Sequence, residues 1–210
     1  MSESQTSSGP IRVVLADDQA LVRGALVALL SLEEGIDVVG QAGRGDELVA
    51  LVDEVRPDVA LIDIEMPGLD GISATARITA AHPQVACLIV TTFGRPGYLQ
   101  RALAAGARGF IVKETPADEL AQAVRDVHAG KNVVDPALAM ESVFSGANPL
   151  TGRERDVLRL ALDGGRVAEI AAKLYLSEGT VRNHLSSAIG KMGVETRGEA
   201  ARRAHELGWL

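Results

Sequence analysis

Five short runs rich in valine and isoleucine recur at regular distances along the first part of the chain: Ile11 to Ala16, Ile36 to Gly40, Val59 to Ile64, Val85 to Val90 and Phe110 to Val112. Runs of this length without polar alternation fit strands covered on both faces, the condition of a parallel sheet. Helical spacings separate them. Leu21, Leu26, Leu29 and Leu30 mark one helix, Leu48, Leu51, Val52 and Val55 a second, and Ile72, Ala76 and Ile78 a third. Leu99, Leu103 and Ala107 mark a fourth, and Leu120, Val124 and Val127 a fifth, with Thr115 as its expected N-cap and Pro116 in its first turn. Strand and helix in alternation predict a doubly wound α/β domain with a five-stranded parallel sheet and right-handed crossovers.

Beyond Gly130 the alternation stops. Asp135-Pro136, Gly146 and Asn148-Pro149 punctuate a stretch read as a linker over 131–148. From 149 to 210 every pattern is helical. Thr151 with Glu154 and Thr196 with Glu199 fit capping boxes, Ser177 fits an N-cap between them, and Gly208 a stop with Trp209 folding back. Charge divides at the same place: residues 1–140 hold 11 Lys+Arg against 19 Asp+Glu, and residues 141–210 hold 10 against 9. Two modules with different partners are expected, over 11–130 and 149–210, after a disordered start at 1–10. That start is polar and lacks the basic-then-apolar pattern of an export signal, and no run is long enough to span a bilayer. The one cysteine, Cys87, sits in an apolar run, so no disulfide framework can form and a cytoplasmic location is expected.

Asp17 and Asp18 follow the first expected strand, Asp63 ends the third, Thr91 the fourth and Lys113 the fifth. A parallel sheet brings all these ends to one edge. Three carboxylates gathered there repel one another and stay ionised only beside a cation, and Mg²⁺ suits an all-oxygen donor set that leaves positions open for phosphate. A carboxylate beside such an ion can attack a phosphoryl group, with a nearby lysine stabilising the oxygens. Asp63 is the candidate nucleophile.

Val14-Leu15-Ala16-Asp17-Asp18, the run Ile62-Asp63-Ile64-Glu65-Met66-Pro67-Gly68-Leu69-Asp70-Gly71, Thr91, and Gly109-Phe110-Ile111-Val112-Lys113 resemble the receiver domain of bacterial two-component response regulators. The resemblance implies a flavodoxin-like fold in which Asp63 accepts a phosphoryl group from the histidine of a sensor kinase. It further implies that Asp17, Asp18 and the backbone carbonyl of Glu65 hold Mg²⁺ with Asp63. Lys113 would pair with the phosphate, Thr91 would swing toward it, and Phe110 would follow inward as a switch aromatic. Phe110 stands where many relatives carry Tyr, and Glu114 where Asp is common.

In the last third, Val181, Leu185, Ala188, Ile189 and Met192 make one apolar helical face, and Arg182, Asn183, Ser186 and Ser187 stand opposite, with Lys191 near the end. With a preceding helix from Val167 to Leu174, this reads as a helix-turn-helix whose polar side enters the major groove. Arg182 and Asn183 suit base edges, and Lys173, Lys191 and Arg197 suit phosphates, with Thr180 in the same DNA-facing set. Leu150-Thr151-Gly152-Arg153-Glu154, Leu176 to His184, Lys191-Met192-Gly193 and Thr196 to Ala200 resemble the LuxR-type four-helix DNA-binding domain. Joined to a receiver it makes the NarL/FixJ class of regulators, and the last segments are similar to the subgroup serving the membrane-lipid desaturase thermosensor. Ser186 stands where some relatives carry Lys.

The resemblance implies a cytoplasmic transcription regulator, not an enzyme beyond accepting a phosphoryl group on its own Asp63 and slowly losing it. Its partners would be a sensor histidine kinase, double-stranded DNA and, once phosphorylated, a second copy of itself, with no membrane contact. Ala200, Ala201 and Ala204 with Leu207 could form a dimer seam or pack inward. Two rivals stand beside this reading. An aspartyl-nucleophile phosphatase would use similar groups, but in a DxD pattern after the first strand, whereas Asp63 follows the third. A module of the same fold that never receives phosphate would act through its DNA-binding domain alone.

Overall fold

A computed structural model describes residues 9–92, 94–144 and 146–210. The expected disordered start falls chiefly on 1–8, outside the described residues. The chain divides into two compact units, one of residues up to 94 with 99–137, the other of 95–98 with 138–210.

The first unit runs β1 (Ile11–Ala16), α1 (Ala20–Ser31), β2 (Ile36–Ala42), α2 (Gly45–Val55), β3 (Val59–Ile62), α3 (Gly71–Ala81) and β4 (Ala86–Thr91). It continues through α4 (Pro96–Ala104, of which 99–104 belong to this unit), β5 (Gly109–Val112), α5 (Ala117–His128) and β6 (Val133–Val134). Every pair of neighbouring strands is parallel, in the order β2-β1-β3-β4-β5-β6. The sheet therefore has six strands and not the expected five. The sixth is two valines paired to Gly109 and Phe110, too short to show any period and set between turn-forming residues, so its pattern is invisible in a stretch read as linker.

Burial explains the continuous apolar runs. Val13, Leu15, Val59, Leu61, Leu88 and Val90 pack with Leu30 of α1 and Leu120, Val124 and Val127 of α5 in one core layer. Alternate strand residues, among them Val14, Ala60, Ile62 and Ile89, are fully buried as well, so both faces of the sheet are covered. Strand ends differ from expectation by a residue or two. β3 stops at Ile62, which leaves Asp63 just past the strand, and β4 extends to include Thr91. The N-cap of α5 is Pro116 and not Thr115.

The second unit holds α6 (Pro136–Phe144) from 138 onward, α7 (Gly152–Leu162), α8 (Val167–Leu174), α9 (Glu178–Met192) and α10 (Arg197–Glu206). Both expected capping boxes form, at Thr151/Glu154 and Thr196/Glu199, and Ser177 caps α9 by accepting from the Thr180 amide at 3.0 Å. The core gathers Val157 and Leu158 of α7, Ile170 and Ala171 of α8, Val181, Leu185, Ala188 and Met192 of α9, and Ala200, Ala201 and Ala204 of α10. Those three alanines have no exposed surface and pack inward, while Leu207 beside them is half-buried. Trp209 folds back, its amide donating to the Ala204 carbonyl at 2.9 Å. Between α8 and α9 the chain turns at Tyr175, whose left-handed φ of 55° ends α8 and starts the three-residue turn.

Candidate functional site

In an open parallel sheet a crevice forms where the strand order reverses, outside the carboxyl ends of the strands. Here that point lies between β1 and β3, and Asp17 and Asp63 are the first residues beyond those two strands. The backbone fixes them there. The Asp63 amide donates to the Ala16 carbonyl at 2.9 Å, the Asp17 amide to the Ala42 carbonyl at 3.2 Å, and the Lys113 amide to the Thr91 carbonyl at 2.8 Å. The ladders of the sheet thus continue one residue past the strands and carry four of the expected site residues into register.

Side chains then converge. Lys113 Nζ lies 2.6 Å from Asp17 Oδ2 and 3.4 Å from Asp63 Oδ1. Asp17 and Asp63 are 1% and 4% exposed, whereas Asp18 faces solvent. One carboxylate oxygen from each of Asp17, Asp18 and Asp63 falls within 4.8 Å of the others. The Lys113–Asp17 contact is an ion pair without hydrogen-bond alignment, so the buried Asp17 Oδ2 keeps a lone pair available. Its other oxygen accepts from the Gln19 amide at 2.9 Å, which fixes the carboxyl plane. Three clustered carboxylates, one of them with an unaligned buried oxygen, fit a hard divalent cation that takes oxygen ligands. Burial pushes the Asp63 carboxyl up to about 6; Lys113 works against the rise and Asp17 adds to it. Near neutral pH Asp63 is therefore mostly ionised, close to protonation, and weakly solvated, a state suited to a nucleophile.

Thr91 is buried at the end of β4, and Phe110 is fully buried in β5. Glu65 stands exposed in the turn between β3 and α3. That turn is closed by the Gly71 amide donating to the Ile64 carbonyl at 2.9 Å, and by Asp70, which caps α3 by accepting from the Ser73 amide at 3.0 Å. Gly71 has no reading as a site residue in the sequence, yet a Cβ there would collide with the backbone carbonyl of Asp63. Gly71→Ala should therefore shift the nucleophile, lowering the stability of the first unit by about 2–3 kcal/mol. Urea unfolding and the rate of phosphoryl uptake check this: an alanine variant with the wild-type midpoint and rate shows that the turn can give way.

In the second unit, α9 presents Arg182, Asn183 and Ser186 to solvent, and Lys173 and Arg197 are exposed on α8 and α10. Thr180 is half-buried, its hydroxyl 2.8 Å from Ser177 Oγ at the cap. Ser187 and Lys191, read in the sequence as DNA contacts, are exposed as well and in addition bond within the unit. Ser187 Oγ and Lys191 Nζ each donate to a different oxygen of Glu154, both at 2.7 Å. Glu154, 3% exposed, also accepts from the Thr151 amide, so one buried carboxylate closes a capping box and ties α7 to α9. Burial would raise this carboxyl, but the bonds from Lys191, Ser187 and Thr151 outweigh it and hold it at about 2. Spacing shows the capping box and cannot show the tie, which depends on how two helices pack whose bonded residues lie 33 and 37 positions apart.

Residues 13–125 match the family described as response regulator receiver domain, and residues 148–204 match the bacterial regulatory proteins of the luxR family. The transcriptional regulatory protein DesR of Bacillus subtilis is 44% identical over 95% of this chain and 99% of its own. The DNA-binding transcriptional activator DevR/DosR of Mycobacterium tuberculosis is 38% identical over 94% and 95%. Among solved structures, the response regulator ChrA of a heme-sensing two-component system matches with a TM-score of 0.58 at 33% identity, covering 97% of this chain and all of that one. The response regulator RcsB, solved in complex with DNA, matches with a TM-score of 0.65 at 27% identity over 96% of this chain. Receiver and reader on one chain, matched over nearly their whole length by such proteins, place it in the family: the chain belongs to the response regulators of two-component systems, transcriptional regulators that join a receiver to a luxR-type DNA-binding domain.

Proposed function

We propose that Asp63 takes a phosphoryl group from a sensor kinase's phosphohistidine and that its arrival controls dimerisation and DNA binding by the second unit. One observation carries this reading: Lys113 Nζ stands between the carboxylates of Asp17 and Asp63 with Asp18 in reach, at the crevice where this fold collects its ligands. In the transfer an Asp63 oxygen bonds to phosphorus, the P–N bond breaks, and the imidazole nitrogen keeps the electron pair and takes a proton. Lys113, already paired with two carboxylates, follows the new negative charge as the phosphoryl oxygens come within its reach. Thr91 and Phe110 lie buried beside this edge, so a hydroxyl drawn toward the phosphoryl group leaves space that the ring can fill. Asp17, Asp18, Asp63 and the Glu65 carbonyl would hold Mg²⁺, which would supply positive charge to offset phosphoryl oxygens in an acidic pocket. The chain then acts as a phosphoryl acceptor in the cytoplasm and turns over no separate substrate, apart from slow loss of its own phosphoryl group.

Arg182 and Asn183 read base edges, Ser186, Ser187 and Thr180 line the same approach, and Lys173, Lys191 and Arg197 fix the helix on phosphates. No helix of the described residues is long and apolar enough to cross a membrane. The test is treatment with a small phosphodonor and Mg²⁺, followed by mass measurement, light scattering and binding to a duplex. Wild type should gain one phosphoryl group, dimerise and bind more tightly, with dependence on Mg²⁺. Uptake that persists in Asp63→Asn ends the site assignment, and uptake without any change in assembly or DNA affinity ends the switch.

A further inference from the structure

Arg182 does not hang free on α9. Its Nη2 donates to Glu178 Oε2 at 2.7 Å, four residues back toward the start of the helix, and the two side chains are 62% and 50% exposed. Glu before Arg at this spacing is the favourable orientation for a helical pair. Glu178 is also the first residue of α9, directly after the Ser177 cap, where a carboxylate suits the helix dipole and is held in place. Arg182 and Glu178 flank the buried stripe of Val181, Leu185, Ala188 and Met192, and Asn183 and Ser186 continue the exposed surface beyond Arg182.

An arginine beside duplex DNA has two competing uses. Phosphates attract it whatever the sequence, and a guanine edge attracts it only in the right pose. A carboxylate on one nitrogen of its fork changes that competition. It offsets the charge that phosphates attract, repels a phosphate approaching from the same side, and leaves the other N–H groups aimed along a fixed direction. We propose that Glu178 is a positioning residue that sets specificity: it withholds Arg182 from phosphates and holds it for a base. This rests on the reading of α9 as the groove helix and goes beyond it, because it assigns the discrimination to an acidic residue that touches no base.

The experiment uses the full chain. Preferred sites are selected from a random duplex library, and binding is then measured to the preferred site, to that site changed at each guanine in turn, and to an unrelated duplex, across salt. Wild type, Glu178→Ala, Arg182→Ala and the double variant are compared, with thermal midpoints for each. Glu178→Ala should bind the unrelated duplex about fivefold more tightly, with a salt slope steeper by about 1. Its discrimination at one guanine should fall about tenfold. Once Arg182 is alanine, removing Glu178 should change discrimination no further. Discrimination unchanged in Glu178→Ala overturns the inference, as does an equal loss from Glu178→Ala when Arg182 is absent. So does a fall in affinity for both duplexes that tracks a lowered midpoint. Intact discrimination in Arg182→Ala defeats the groove assignment itself, whereas discrimination lost there and kept in Glu178→Ala defeats only the positioning role.

Discussion

Asp63→Asn should accept no phosphoryl group and, at pH 7, be the more stable protein by about 1–3 kcal/mol. The sign follows from the fold. Burial raises the Asp63 carboxyl from 3.8 to about 6, so the native state binds a proton that the unfolded chain has already released. Stability from this group is complete below about pH 4 and is lost as pH rises through about 6. At neutral pH the fold therefore carries an ionised carboxylate in an environment that disfavours it. Asparagine fills the same volume without the charge, and Lys113 keeps Asp17 as its partner. Urea midpoints at pH 4 and pH 7 check this: the variant's advantage should be present at pH 7 and nearly absent at pH 4. Millimolar Mg²⁺ should stabilise wild type and narrow the gap, since a cation that binds only the native pocket shifts the equilibrium by mass action. A variant less stable than wild type at pH 7, or an advantage that does not change with pH, would show that Asp63 is not strained by burial.

That strain is legible in the sequence once the topology is. Asp17, Asp63, Thr91 and Lys113 lie at the ends of Val/Ile-rich runs, and a parallel sheet sends all such ends to one edge, so periodicity and position together locate the pocket. Packing between elements is less legible. β6 is invisible because two valines carry no period, and α6 falls where Asp135-Pro136 reads as a break although proline is also a good helix start. Gly71 is one of 22 glycines, and only the approach of the Asp63 carbonyl distinguishes it. On α9, Ser187 and Lys191 look like the rest of a polar face. Their neighbour across the helix pair, Glu154, has an obvious local role as a capping residue, and that role hides the second one.

Removing Glu154 should cost the second unit more than any surface change. Its carboxylate is nearly fully buried, takes a charge-assisted bond from Lys191, a hydroxyl bond from Ser187 and an amide bond from Thr151, and is held at about 2 against an ordinary 4.5. A group held low contributes stability that is complete above about pH 4.5 and is lost as pH falls toward 2, roughly 3 kcal/mol in all. Glu154→Ala adds to that loss by leaving a lysine ammonium, a hydroxyl and a helix N-terminal amide without their acceptor, so about 3–5 kcal/mol is expected. For a domain of this size that is most of its stability. Trp209, the one tryptophan of the chain, is buried in the same core and reports the loss by fluorescence. Lys191→Met should cost less, about 1–2 kcal/mol, because Ser187 and Thr151 still satisfy the carboxylate. Combined with Glu154→Gln it should cost less than the two separate losses together, as expected of residues that share one network. Strict additivity would mean that α7 and α9 are held by their apolar faces alone. A Lys191→Met chain that keeps the wild-type midpoint but loses a phosphate's worth of salt dependence would show that this lysine serves DNA and not the tie.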